Sequence, residues 1–257
     1  MRQRCGCGGR CREKDMEHEL SYDLHIHSCL SPCGDDDMTP GNIVGMAAIK
    51  GLDVIAVTDH NSCRNCLAVL KLAEQYGVLA IPGMELTTSE EVHAVCLFSE
   101  LSAAMEFDRF VYGKLMKFPN REEIFGKQQI MNEEDICIGT EPNLLINSTE
   151  LSFDELWDIV TGQYGGVMIP AHIDKPRFSI LSQLGFVPKD LKCEALELSP
   201  HTTREQFLQQ NAYLSGYKFI RSSDAHYVDD IGKVFSILSL PDLSFDSIRS
   251  AITAHVS

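Results

Sequence analysis

Strand-like runs recur along this chain with helix-like runs between them, and most of them carry a histidine, aspartate or glutamate within the strand or at its end. The alternation limits the fold more than any other feature, because strands separated by helical crossovers pair in parallel. The first run is Tyr22-Asp23-Leu24-His25-Ile26-His27, with Tyr22, Leu24 and Ile26 alternating against Asp23, His25 and His27. Side chains two apart on a strand share a face, so both imidazoles point the same way. Neutral imidazoles converging in this manner can hold zinc, manganese or iron. A plainer use is a pair of polar side chains on an exposed strand face.

Thr39-Pro40 then reads as an N-cap and first-turn proline for a helix that Gly51 stops. Residues 52–58 form a nearly continuous apolar run, as a strand buried on both faces does, and lead to Asp59-His60. A helix over 65–76 closes at Gly77, and a strand from 78 runs into Pro82-Gly83-Met84-Glu85. His93 opens the next strand, at 92–98. Residues of about 100–163 break this rhythm. They hold a helical stretch near 101–116, strand candidates at Ile136-Cys137-Ile138 and Leu144-Leu145-Ile146, and a capping box at Ser152 and Glu155. An insertion of this length reads as a lid or substrate-shaping element. Strands then resume at 166–171, ending in His172, at 195–199, and at 219–223, ending in Asp224-Ala225-His226. A capping box at Thr202 and Glu205 opens an intervening helix, and a strand at 234–240 and a helix at 244–254 close the chain. Seven strands from Tyr22 to His226 favour an α/β fold closed as a distorted seven-stranded β/α barrel of the TIM type, with the insertion between its fourth and fifth strands.

A chain of 257 residues with 44% apolar and 23% charged residues suits one large α/β domain, here residues 20–257. Residues 1–19 read as a flexible Cys/Gly-rich leader, in which Cys5, Cys7 and Cys11 lack a fourth metal ligand. The net charge of −15 argues against long nucleic acid and anionic membranes as partners. It leaves room for a small phosphorylated substrate, since bound metal supplies local positive charge. The absence of an apolar run of membrane-spanning length and of a secretory pattern points to a cytoplasmic location with its ten cysteines reduced.

His25, His27, His60, Glu85, His93, His172, Asp224 and His226 all sit on or at the ends of these strands. In β/α barrels the loops at the C-terminal strand ends converge on the active site. Eight such groups exceed what one tetrahedral zinc uses, so two or three divalent ions bridged by Glu85 fit the count. Asp59 is suited to orient a ligand or accept a proton. Lys175 and Arg177 follow His172 closely enough to bind a phosphate oxygen, and His201 lies at a strand end where it can touch substrate. Cys63-Arg64-Asn65-Cys66 is either a redox or metal pair or two buried small hydrophobes at a helix start.

The motifs Asp23-Leu24-His25-Ile26-His27-Ser28, Thr58-Asp59-His60, Pro82-Gly83-Met84-Glu85, His93, Pro170-Ala171-His172 and Ser222-Ser223-Asp224-Ala225-His226 together resemble the PHP (polymerase and histidinol phosphatase) family of metal-dependent phosphoesterases. The resemblance implies His25, His27, Glu85 and Asp224 around a first metal, Glu85, His93 and His172 around a second, and His60 and His226 at a third. The ions would be manganese, iron or zinc. The family usually adds a His or Asp from the loop after the first motif. Here that loop is Ser31-Pro32-Cys33-Gly34-Asp35-Asp36-Asp37, and Asp35 is the choice, with Cys33 and Asp36 as rivals. The expected activity is hydrolysis of a small phosphorylated metabolite or nucleotide. The alternatives are an accessory metal-binding module without turnover and an amidohydrolase-type C–N hydrolase, the latter disfavoured by the lack of an evident bridging lysine.

Overall fold

The computed structural model describes residues 18–253, so the expected leader lies almost wholly outside the described residues. The strands are β1 (His18–Ile26), β2 (Val54–Val57), β3 (Leu79–Thr87), β4 (His93–Leu97), β5 (Gln129–Met131), β6 (Cys137–Thr140), β7 (Val167–Pro170), β8 (Leu196–Leu198), β9 (Phe219–Arg221) and β10 (Ser236–Leu240). Six of them form one curled half-barrel sheet in the order β10-β1-β2-β3-β4-β7, while β5–β6 and β8–β9 pair separately.

The expectation of a seven-stranded, wholly parallel barrel is met only in part. β1, β2 and β3 are parallel, but β4 runs antiparallel to both β3 and β7, and β10 runs antiparallel to β1. Residues 88–92 between β3 and β4 are too few for the helical crossover that parallel strands require. The β8–β9 pair joins the curve by isolated hydrogen bonds, from Ile173 N to Glu197 O at 2.8 Å and from His27 N to Ala225 O at 2.9 Å.

Apolar side chains from these strands, among them Leu24, Ala56, Val95, Ile169 and Ile220, meet in one buried cluster that Ile248 and Ile252 of the last helix (Phe245–Thr253) cover. A second layer packs helices α1 (Pro40–Lys50) and α2 (Cys66–Tyr76) against Ile55 and Val57. Both helices end on left-handed glycines, Gly51 (φ 69°) and Gly77 (φ 70°), as the sequence indicates. The later capping box sits one residue on from its expected place, with Thr203 accepting from Gln206 N and Thr203 N donating to the Gln206 side chain.

Two local features place the site. β1 changes register against β2 between Asp23 and Ile26, and an irregularity of this type re-aims side chains beside active sites. Gly83 lets β3 pass close to its neighbours, since a Cβ there would stand 2.9 Å from Thr58 Cγ2 and Leu97 Cδ2.

The stretch between β4 and β7 folds onto the rim rather than hanging free. Helix α3 (Leu101–Lys114) packs Phe107 and Val111 into the outer core. Of the two strand candidates there, the first appears as part of the β5–β6 hairpin, whereas residues 144–146 are not a strand. Asn61, in the left-handed region at φ 48°, donates to the carbonyls of Leu145 and Asn147 at 2.7 and 2.8 Å. Arg64 adds an ion pair to Glu141 and lies over the Tyr112 ring at 4.8 Å. Cys63 and Cys66 are buried, with burial raising the Cys63 thiol well above its ordinary value, so the pair packs as small hydrophobes.

Candidate metal centre

The register shift in β1 turns His25 and His27 to one side, with ring centroids 5.2 Å apart. Glu85, near the end of β3, lies at the middle of the cluster they begin. Its carboxylate oxygens stand 3.3 Å from His25 Nε2, 3.3 Å from His27 Nε2, 3.0 Å from His60 Nδ1, 2.9 Å from His93 Nδ1 and 3.0 Å from His172 Nε2. Asp224 closes the other side, 3.5 Å from His25 Nε2 and 3.4 Å from His27 Nε2. His226 stacks on His27 at 4.3 Å. All eight strand-end groups are thus brought together, as expected.

Electrostatics act on these groups in opposite directions: burial alone would lower His25 and His27, but the carboxylates of Glu197, Glu85 and Asp224 around them raise both rings above the ordinary value. Burial alone would raise the Glu85 carboxyl, but the imidazoles of His93, His25 and His60 hold it well below the ordinary range. Burial likewise opposes ionisation of Asp224, and His25 and His27 overcome it. Burial pushes His60 well down, lowers His93, and takes His226 to about 4, aided by His27. These three rings are therefore neutral near pH 7, the form that binds metal.

Several atoms have no use within the protein. His93 Nε2 and His172 Nδ1 are buried without a hydrogen-bond partner, and His60 Nδ1 meets the Glu85 carboxylate at 3.0 Å without hydrogen-bond geometry, although such groups are almost always satisfied in native proteins. His25 Nε2 and His27 Nε2 face each other at 3.2 Å. A donor set of imidazoles and carboxylates with inward-facing lone pairs fits divalent transition metals. Three ligand groups lie within 4.8 Å among themselves: His25, His27 and Asp224; His60, Glu85 and His93; and His27, Cys33, His60 and His226.

The last group bears on the loop after β1. Cys33 Sγ, not the Asp35 carboxylate, approaches His27, His60 and His226. Asp35 Oδ1 instead accepts from Asp37 N at 2.9 Å, and Asp36 Oδ1 accepts from Gln129 Nε2 at 3.0 Å. The short spacing of Asp35 from Asp37 lets the carboxylate close its own turn, which draws it away from the cluster.

Asp59 is buried and touches no candidate ligand directly. It accepts from Ser28 N at 2.7 Å, Ser28 Oγ at 2.6 Å and Ser31 Oγ at 2.6 Å. Ser31 Oγ in turn lies 3.0 Å from His27 Nδ1. Glu197, which sequence reasoning passed over, holds His25 in the same way: its Oε2 is 2.9 Å from His25 Nδ1 and accepts from His172 N at 3.0 Å. A lone carboxylate inside the apolar strand Leu196-Glu197-Leu198 was the available signal.

A cavity of about 270 Å³ opens over the cluster, lined on its far side by Ile146, Lys175, Pro176, Arg177 and Phe178. Lys175 is ion-paired with Asp224, and among the described residues Arg177 forms no ion pair. His201 is exposed and lines a neighbouring cavity of about 330 Å³. No helix among the described residues is long and apolar enough to cross a membrane.

Imidazoles and carboxylates gathered at one end of an α/β half-barrel form a candidate centre for divalent metal ions. The family model described as the PHP domain matches residues 23–183, more than half of the chain, and the chain belongs to that family. It is 33% identical over 79 residues to a 5'-3' exoribonuclease of Haemophilus influenzae, covering 30% of this chain and 28% of that one. The fold is shared with a lesion-specific endonuclease Q of Pyrococcus furiosus, at a TM-score of 0.68 and 21% identity over 92% of this chain and 56% of the other. It is also shared with a protein of Bifidobacterium adolescentis described as a metal-dependent phosphoesterase, at a TM-score of 0.58 and 20% identity over 90% and 95% of the two chains. The chain spans less than half the length of the curated relatives it matches, 46% of an uncharacterized Methanocaldococcus jannaschii protein and 28% of the exoribonuclease.

One expectation is overturned. Long nucleic acid was set aside because of the acidic composition, yet Endonuclease Q, sharing this fold at a TM-score of 0.66, is known in complex with a 27-mer duplex carrying an abasic lesion at its active site. Net charge is a property of the whole surface, whereas a phosphate responds to the local field, which bound cations can invert.

Proposed function

We propose that the chain hydrolyses a phosphate ester of a nucleotide or nucleic acid at a centre of two or three divalent ions. The observation that carries this reading is the Glu85 carboxylate within 3.3 Å of five imidazoles, two of which, His93 and His172, have a second nitrogen that is buried and unpartnered. His25, His27, Glu85 and Asp224 would hold one ion, and Glu85, His93 and His172 a second. His60, His226 and Cys33 would hold a third. Manganese, iron and zinc all suit imidazole and carboxylate donors, and a thiolate at the third position favours zinc or iron. Bound there, divalent ions neutralise phosphate oxygens and make a water more acidic near pH 7.

The protein's own groups do the remaining work. Glu197 fixes His25 with Nε2 toward the cluster, and Asp59 fixes His27 through Ser31. Lys175, released from Asp224, and Arg177 reach phosphate oxygens, while His201 contacts the far part of the substrate. Residues of about 100–163 form a fixed substrate wall, anchored by Asn61 and Arg64.

Manganese-loaded protein should release phosphate or a nucleotide from a panel of phosphomonoesters and phosphodiesters, and a chelator should abolish this. Cleavage of amides but no phosphoester would support the C–N hydrolase alternative. Metal-dependent capture of a protein partner with no turnover would support the accessory-module alternative.

A further inference from the structure

We propose that Phe178 is a positioning residue for His93: its ring holds the imidazole toward Glu85, and so sets the ion that Glu85, His93 and His172 would share. This rests on the metal-centre reading above and deepens it.

His93 is the first residue of β4, and its ring turns about a soft, two-fold side-chain torsion. The observed orientation puts Nδ1 2.9 Å from Glu85 Oε1 and leaves Nε2 buried without a partner. A ring that swung or flipped would lose that carboxylate. The neighbouring imidazoles of His60 and His172 meet His93 at a steep 62°, with centroids 5.1 and 5.4 Å away. Phe178 instead lies flat on it, with centroids 4.8 Å apart and planes 10° apart. Rotation out of this stack would drive an edge of the imidazole into the phenyl carbons, so the phenyl ring limits the torsion that the other rings leave soft.

The backbone ties the same two residues together. His93 N donates to Phe178 O at 2.9 Å, and His93 O accepts from Ala171 N at 3.0 Å. The segment from His172 to Phe178 therefore leaves the His93 backbone and returns to it, carrying His172, Lys175 and Arg177 between the two bonds. Phe178 closes this excursion at φ 58°, a conformation a bulky L-residue rarely adopts and keeps only where its surroundings impose it. The next residue supplies part of that constraint. Ser179 is buried, and its Oγ donates to Lys175 O at 2.6 Å and accepts from Ser182 N at 3.0 Å as the short helix Ile180–Leu184 begins. A glycine would adopt this φ without strain and keep the carbonyl bond. What the strained position adds is the ring over His93.

The test loads the full chain with cobalt(II), whose visible ligand-field spectrum follows the bound ions, and removes them by competition with a chelator. Phe178→Leu keeps apolar bulk and the same backbone demand without a flat ring. Phe178→Gly removes both the ring and the strain, and Phe178→Tyr keeps the ring. The leucine and glycine variants should each release one ion about tenfold more readily than the parent, the low end of the loss when a ligand's support is removed. The other ions should be held as in the parent, and the tyrosine variant should match the parent throughout. Parent-like retention in the glycine variant would show that the backbone alone matters and would overturn the proposal. So would parent-like retention in the leucine variant, or equally easier release of every ion. A parent that behaves as described but cleaves no phosphoester defeats the phosphoesterase reading and leaves this proposal standing. Phosphoester cleavage with parent-like retention in all three variants defeats this proposal alone.

Discussion

Glu197 and Cys33 are the residues through which this chain departs most from what its ligand motifs alone suggest. Glu197 accepts from the His25 ring and from the His172 backbone, so one buried carboxylate positions two candidate ligands. Replacing such a partner commonly lowers metal affinity about 10–100-fold without unfolding the protein. Glu197→Gln should therefore show weaker metal retention in competition with a chelator. Unchanged retention would make Glu197 a packing residue only. Cys33 lies with His27, His60 and His226, whereas Asp35 caps its own turn. Cobalt-substituted protein should show a sulfur-to-cobalt charge-transfer band that Cys33→Ser removes and Asp35→Ala keeps. Loss of the band in the aspartate variant alone would return the position to Asp35. The eight strand-end groups that the fold gathers were legible because histidine and carboxylate punctuate otherwise apolar strands. The residue that the following loop turns toward them was not, because three acidic residues beside one cysteine leave the choice to backbone geometry.

At the scale of elements, the joint between β7 and β8 carries a charge at a cost. Glu194, nearly buried, accepts from Met168 N at 3.0 Å and lies 4.0 Å from Arg249. Burial raises its carboxyl to about 7 from an ordinary 4.5. The folded state thus holds this proton more tightly than the unfolded state. The associated stability is present below pH 4.5 and is lost as pH rises to about 7. Glu194→Gln, which can still accept from Met168 N, should match the parent at pH 4 and be more stable at pH 8, by at most about 3 kcal/mol. Urea midpoints at the two pH values check this, and an equal effect at both would show that Glu194 ionises normally. Strand positions and helix ends followed from apolar runs, N-caps and glycines. Strand direction did not: whether β4 returns antiparallel depends on the length of the turn at residues 88–92, which hydrophobic pattern does not weigh.

For the molecule as a whole, the acidic composition misled where the arrangement of strand ends did not. A net charge of −15 describes a surface, while the fold collects imidazoles and carboxylates at one rim, where bound cations would set the local field. Barrel closure was over-read, because counting strands cannot tell a continuous sheet from a six-stranded half-barrel joined to a separate pair. The packing of residues 145–147 against the rim came from a side chain, Asn61, whose hold on two carbonyls has no periodic signature. The account stands on Glu85 as a bridge between metal ions, since an amide cannot neutralise two cations as a carboxylate does. The most direct measurement is elemental analysis of the purified chain and of Glu85→Gln, each reconstituted with manganese, iron and zinc. The account predicts two or three equivalents in the parent and the loss of at least one in the variant. Fewer than one equivalent in the parent, or a full complement in the variant, would contradict it.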